Sequence, residues 1–179
     1  FVLVLMTSLV ILYPVLRLTN IFPTTTIVSF AEDIEEARAR SISGRFVHED
    51  ILIMKALERP VFGWGTYGRN RLYDPSTGKD LSVTDGEWII TLGQRGLVGF
   101  VAIFGMLLFP IFRAWRIRKR IKNRRDIVVL VSLCAMAATI SVDLLPNGMF
   151  SYLPFVCSGA VAGATDALRK KSRGRLSVD

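Results

Sequence analysis

The sequence predicts an all-α integral membrane protein with about four transmembrane helices and a largely helical extracytoplasmic loop, the whole forming part of a larger multi-span bundle. Three observations carry this expectation. Half of the 179 residues are hydrophobic (51%). The apolar residues gather into four runs, 1–18, 88–112, 127–145 and 149–168, each close to the roughly 20 residues that a spanning helix needs. The formal charge of +8, from 23 Lys and Arg against 15 Asp and Glu, is concentrated beside those runs rather than spread along the chain.

The placement of charge sets the orientation. Residues 113–125 hold eight basic side chains and residues 169–175 hold five, and both stretches abut apolar runs. Residues 19–87 carry eight basic and eleven acidic side chains, so this long segment is net negative, and the turn Pro146-Asn-Gly148 is uncharged. The positive-inside rule then assigns 113–126 and the tail 169–179 to the cytoplasm, and 19–87 and 146–148 to the outer face. A pI near 10 suggests nucleic acid at first sight, but basic runs flanked by membrane segments are explained by topology, and no nucleic-acid partner is expected. A multi-pass topology with a cytoplasmic C-terminus follows.

The elements are justified in order. The first run is uncharged as far as Leu16, with neither a basic n-region nor a small-residue cleavage site, so it reads as a span and not a signal peptide. Because Phe1 opens inside an apolar run, the chain reads as the C-terminal part of a longer protein. The outer segment is too long for a structureless connector and should hold its own helices. Ser29-Phe-Ala-Glu32 has the form of a capping box, predicting a helix over 30–40. Ser41-Ile-Ser-Gly44 predicts a break, after which Val47, Ile51, Met54 and Leu57 recur at helical spacing, with Glu49, Lys55 and Arg59 opposite. Pro60 ends that helix. The apolar face is expected on the membrane surface or against other spans.

Phe62-Gly63-Trp64-Gly65-Thr66-Tyr67-Gly68 then mixes aromatics with glycines, suiting an irregular turn at headgroup level whose glycines allow backbone to approach a ligand. Residues 69–80 form a polar excursion with a turn at Asp74-Pro-Ser-Thr-Gly78, expected to be the most mobile part. The second span has a polar entrance at Thr91, Gln94 and Arg95, and Asp143 and Asp166 lie near ends of the last two. Cys134 and Cys157 fall inside spans and read as small apolar packing residues. The acidic run Glu32, Asp33, Glu35 and Glu36 reads as a solvated helix face, and no metal site or cofactor is expected.

Arg45, then Pro60-x-x-Gly63-x-Gly65, then Asp85-Gly-x-Trp88-x-x-x-Leu92-x-x-x-Gly96-Leu97-x-Gly99 leading into a span, resembles the O-antigen ligase/polymerase family of bacterial envelope enzymes. The resemblance covers roughly residues 40–112, and the basic loop followed by a final helical pair matches that family's C-terminal layout. It implies a metal-independent membrane glycosyltransferase that takes a glycan from an undecaprenyl diphosphate carrier and passes it to a sugar hydroxyl of a glycan or lipid acceptor. One departure stands out: many ligases of the family have His where this chain has Asp85, and the single histidine here is His48. That favours a polymerase or another branch over a ligase. A non-catalytic membrane partner in polysaccharide assembly or export is the rival.

The chemistry of such a transfer selects the candidate residues. A departing diphosphate gathers charge, and an arginine fork pairs with its oxygens while staying protonated. Arg45 is the first candidate, with Arg59 and Arg95 as further substrate-binding groups and Gly63 and Gly65 as the backbone that approaches the ligand. Asp85 is the candidate carboxylate that orients or deprotonates the acceptor hydroxyl. Structural alternatives stand beside each: an Arg45–Glu49 pair at i,i+4, a solvated helix-end Arg59, a snorkelling Arg95, and a helix-dipole role for Asp85 or Glu87.

Overall fold

The computed structural model describes residues 2–148 and 151–176, with side chains as far as residue 172. Among these the chain is helical: α1 (Val2–Leu18), α2 (Thr24–Glu32), α3 (Glu36–Leu57), α4 (Glu87–Ile117), α5 (Arg124–Asp143) and α6 (Leu153–Leu176), with a 3₁₀ turn at Arg118–Arg120. No strand forms among the described residues, only a bridge between Tyr73 and Asp80. Two helices, Glu87–Arg120 and Arg124–Asp143, are long and apolar enough to cross a membrane, and α1 is a shorter apolar helix. The fourth expected run begins at Met149, which with Phe150 lies outside the described residues, as do residues 177–179 of the basic tail.

The chain divides into two compact units. The first comprises residues 1–10, 102–143 and 150–179. Its buried positions on α5 and α6 are mostly small: Cys134, Ala137, Ala138 and Ser141 on one, Cys157, Ser158, Val161 and Thr165 on the other. Small side chains let helix backbones approach closely. Large apolar residues such as Met106, Phe109, Val128, Val129 and Met136 point outward. Cys134 and Cys157 are free and buried, as packing residues should be.

Pro110 lies inside α4 and has no N–H to give the Met106 carbonyl. The Ser158 hydroxyl of α6 takes that place, donating to Met106 O at 3.0 Å and to Leu107 O at 3.1 Å. A helix-interior proline is thus made tolerable by a neighbouring serine. Farther along, Arg113 pairs with Asp166, and Lys171 pairs with Asp126 at 2.7 Å.

The second unit comprises residues 11–101 and 144–149. Here the expected boundaries shift. Pro23, whose φ of −79° already suits a helix start, precedes α2. Ser29 therefore falls inside that helix, its hydroxyl donating to Thr26 O at 3.0 Å, and no capping box forms. The break falls at residues 33–35, and α3 runs unbroken through Gly44. A glycine inside a helix costs about 1 kcal/mol, and the inward face of Ala39, Glu49, Leu52, Ile53 and Ala56 outweighs it. The acidic run straddles this break, with Glu35 pairing to Arg38 and Glu36 to Arg40. The stripe of Val47, Met54 and Leu57 is exposed instead.

The polar excursion carries its own hydrogen bonds. Asp74 accepts from the Ser76 hydroxyl and from the Ser76 and Thr77 amides, which holds its carboxyl below the usual range. Asp80 is also held low: burial opposes this, but the Ser82 amide, Arg71 and the Ser82 hydroxyl outweigh it.

The proline–serine pairing is testable as a cycle. Ser158→Ala is expected to lower stability by about 1 kcal/mol, read as thermal unfolding in detergent. In a Pro110→Ala background, where the Met106 carbonyl regains a helical partner, the same change should cost measurably less. Equal costs in both backgrounds would refute the pairing.

Candidate functional site

The site in the second unit begins with a buried cation. Arg17, at the end of α1, is 3% exposed. Its Nε pairs with Glu49 Oε2 at 2.9 Å, and its Nη2 reaches Asp50 Oδ1 at 2.9 Å and the Phe46 carbonyl at 3.1 Å. The Tyr13 hydroxyl donates to Glu49 Oε2 at 2.7 Å, and Trp88 Nε1 donates to Glu49 Oε1 at 3.0 Å. Glu49 thus accepts from three different side chains. Around it the rings of Tyr13, Phe22, Phe46 and Trp88 meet edge to face. Glu49 does not pair with Arg45, as helical spacing alone suggested; Arg17 occupies its carboxylate.

Arg45 turns elsewhere. Its Nε lies 3.6 Å from Asp85 Oδ2, so the two residues named first by sequence are brought together. The pair is solvent-facing, with the Arg45 side chain 51% and that of Asp85 37% exposed. It forms one rung above the buried one: Arg45 is one helical turn before Glu49, and Asp85 three residues before Trp88. Next to it Arg71 donates to Asp80 at 2.7 Å and to the Thr84 hydroxyl at 3.2 Å, and His48 Nδ1 accepts from the Val83 amide at 3.4 Å. Arg45, His48 and Arg71 therefore converge on residues 80–85.

The Asp85 segment is held from behind. The Glu87 amide donates to Leu144 O at 3.0 Å and Asn147 O at 3.3 Å. A Cβ on Gly86 would lie 2.2 Å from Leu145 O, and one on Gly148 would lie 3.0 Å from Asp85 O. The Glu87 carboxylate itself is buried and accepts from the Thr91 hydroxyl at 3.1 Å, one turn along the same helix.

The glycines make a different close approach from a ligand's. α4 is broken at Gly96, whose φ of 64° and ψ of −167° belong to glycine. The break frees carbonyls on one side and amides on the other, and residues 60–65 pair with both. The Trp64 and Gly65 amides donate to Gly93 O and Gln94 O at 2.9 and 2.8 Å. Conversely the Leu97 and Val98 amides donate to Pro60 O and Val61 O at 2.7 and 3.2 Å. A Cβ on Gly63 would sit 2.6 Å from Gly96 N, and one on Gly96 would sit 2.3 Å from Val61 O, so neither position admits a side chain. Gly65 lies against the Arg69 guanidinium.

Arg59 and Arg95 stand apart from the Arg45–Asp85 pair. Arg59 stacks 4.2 Å over the Trp64 ring, as Lys55 does at 3.7 Å, while Trp64 Nε1 donates to Lys55 O at 2.7 Å. Arg95 is exposed and lies over Gly99, reaching Gln94 Oε1 at 3.4 Å. Among the described residues no group of three His, Cys, Asp or Glu side chains could hold a metal ion.

Sequence reading missed Arg17, Tyr13 and Arg71. An arginine ending an apolar helix has the pattern of an interfacial anchor, and only the inward turn of Glu49 marks it as a core residue. Arg71 sits in a stretch whose composition reads as solvated loop.

The buried rung has a sharp consequence. Glu49→Ala takes away the buried partner of Arg17, leaving it the half-exposed Asp50, and strips Tyr13 and Trp88 of their acceptor; it should cost up to about 3–5 kcal/mol, the cost of breaking a buried pair, while Glu49→Gln, which still accepts from Tyr13 and Trp88, should cost less. Denaturant unfolding of the solubilised protein reads both, and a Glu49→Ala protein as stable as its parent would contradict the arrangement.

No protein-family model, curated protein or solved structure matches this chain.

Proposed function

We propose that the chain acts as a membrane glycosyltransferase that moves a glycan from an undecaprenyl diphosphate carrier to a sugar hydroxyl, in polymerisation or ligation of a surface polysaccharide. The observation that carries the reading is the Arg45–Asp85 pair, an exposed cation and carboxylate 3.6 Å apart, with Arg71 and His48 bonded to the preceding residues Thr84 and Val83. α1, α4, α5 and α6 are then four spans, with residues 19–87 and 146–148 on the outer face of a bacterial inner membrane and the C-terminus in the cytoplasm. The packing of residues 84–87 against 144–148 supports this topology, because it joins the two segments assigned to the outer side.

In the reaction the acceptor oxygen attacks the anomeric carbon, the bond to the diphosphate oxygen breaks, and undecaprenyl diphosphate leaves. Arg45 and Arg71 stabilise the charge that builds on the leaving group, and Asp85 receives the proton of the acceptor hydroxyl. An exposed ion pair is worth about 0–1 kcal/mol, so an arriving diphosphate can draw Arg45 away and leave Asp85 free to accept. Arg59 and Arg95 serve a different part of the carrier in this reading, at the membrane entrance near the broken α4. Gly63 and Gly65 support it by shaping that entrance. The rival, a non-catalytic membrane partner in polysaccharide assembly or export, draws on the same pair, since Arg45 and Asp85 neutralise one another in the free protein.

Arg45→Ala and Asp85→Ala, placed in the full-length protein, should each abolish polymer while membrane abundance is unchanged. Normal polymer from both variants would sink the catalytic reading and leave the rival. Topology is read separately: a cysteine at Ser76 should react with a membrane-impermeant reagent in intact spheroplasts, and one at Lys122 should not. Reversed labelling would overturn the orientation.

A further inference from the structure

A second feature lies in the first unit, away from the Arg45–Asp85 pair in sequence and function. α1, α4 and α5 leave an open groove on the surface of this unit. Its walls are almost wholly apolar, with Leu3 and Val4 from α1, Ile111 and Trp115 from α4, and Val131 and Cys134 from α5. The lining residues Ile111 and Trp115 of α4 and Arg118 of the 3₁₀ turn after it follow one another at helical spacing. The groove therefore runs along two turns of that helix and meets a guanidinium at the helix's C-terminal end.

That end is strongly cationic. Arg118 stacks 4.3 Å over the half-exposed Trp115 ring, the pairing of an interfacial aromatic with a headgroup-level cation. Arg116 comes just before Arg118, Lys119, Arg120, Lys122, Arg124 and Arg125 follow within a few residues, and all six are exposed. The one carboxylate in this stretch, Asp126, is taken up by Lys171 at 2.7 Å. An apolar slot ending in uncompensated positive charge matches one ligand chemistry, an acyl chain carrying an anionic headgroup.

We propose that this groove binds an anionic phospholipid, its acyl chain between α1, α4 and α5 and its phosphate on Arg118 and the basic turn that follows. The chain alone gives affinity, and the basic turn gives preference among lipids. Val131 and Val4 are exposed lining residues, so a larger side chain at either fills the groove without entering the core.

The test is native mass spectrometry of the detergent-solubilised chain titrated with palmitoyl-oleoyl phosphatidylglycerol or with the phosphatidylcholine of the same acyl chains. Phosphatidylglycerol should bind about fivefold or more tighter, the gain expected from one or more basic contacts. Arg118→Gln should narrow that preference with little effect on phosphatidylcholine, and Val131→Trp should weaken both lipids. Val128→Trp, exposed on the same helix outside the groove, should weaken neither. If Val131→Trp loses helix content by circular dichroism, Val4→Trp supplies the same reading. Equal affinity for the two lipids, or tryptophan variants that bind like the parent, would overturn the proposal. So would a dimer that Val131→Trp abolishes, which would assign the groove to a second copy of the chain.

Discussion

The arrangement of the second unit depends on Glu49 being buried with Arg17, Tyr13 and Trp88 as donors. Burying a carboxylate beside a guanidinium adds little net stability, since desolvation offsets most of the attraction, but removing one partner is costly. Such a pair acts less as glue than as a rule about orientation. It rotates α3 so that Glu49, Leu52, Ile53 and Ala56 face inward, although Val47, Met54 and Leu57 are at least as apolar. Once that rotation is set, Arg45 comes one turn earlier on the same side. Trp88, bound to the same carboxylate, brings Asp85 with it. The exposed rung is a geometric result of the buried one.

A second constraint operates at the break in α4. Gly96 is buried, and buried backbone at a helix break must find hydrogen-bond partners inside the protein. Residues 60–65 supply carbonyls and amides to both halves of the break, in four bonds between 2.7 and 3.2 Å. The glycines at 63 and 96 face one another because a side chain on either would enter the other's backbone. The loop after α3 and the entrance of α4 are therefore one structural piece, and the end of the Arg45-bearing helix is tied to it through Trp64, Lys55 and Arg59.

What could be read from sequence divides along physical lines. Helical class and the two long apolar helices were legible, because length and hydrophobic content suffice for them. Arg45 and Asp85 were both singled out in the sequence, and the structure joins them directly. The face of α3 was not. Helical spacing marks two apolar stripes there, and the choice between them rests on Arg17, a residue 32 positions away in the chain. The capping box at Ser29 failed for a related reason: local chemistry at 29–32 was sound, but Pro23 had already started the helix. The purpose of Gly63 was half legible, since close approach was expected but its partner was protein backbone.

The contrast between the two rungs bears on what the exposed one can do. A guanidinium and carboxylate fixed as tightly as Arg17 and Glu49 would be poor groups for binding a charged substrate, because separating them is expensive. Arg45 and Asp85 meet at a longer distance and in contact with water, where separation costs little. Their positions are nonetheless well defined, one carried by α3 and the other backed by residues 144–148. A site that must exchange an internal partner for an anionic ligand needs weak pairing on rigid supports. The buried rung supplies the rigidity, and the solvent-facing rung keeps the pairing weak.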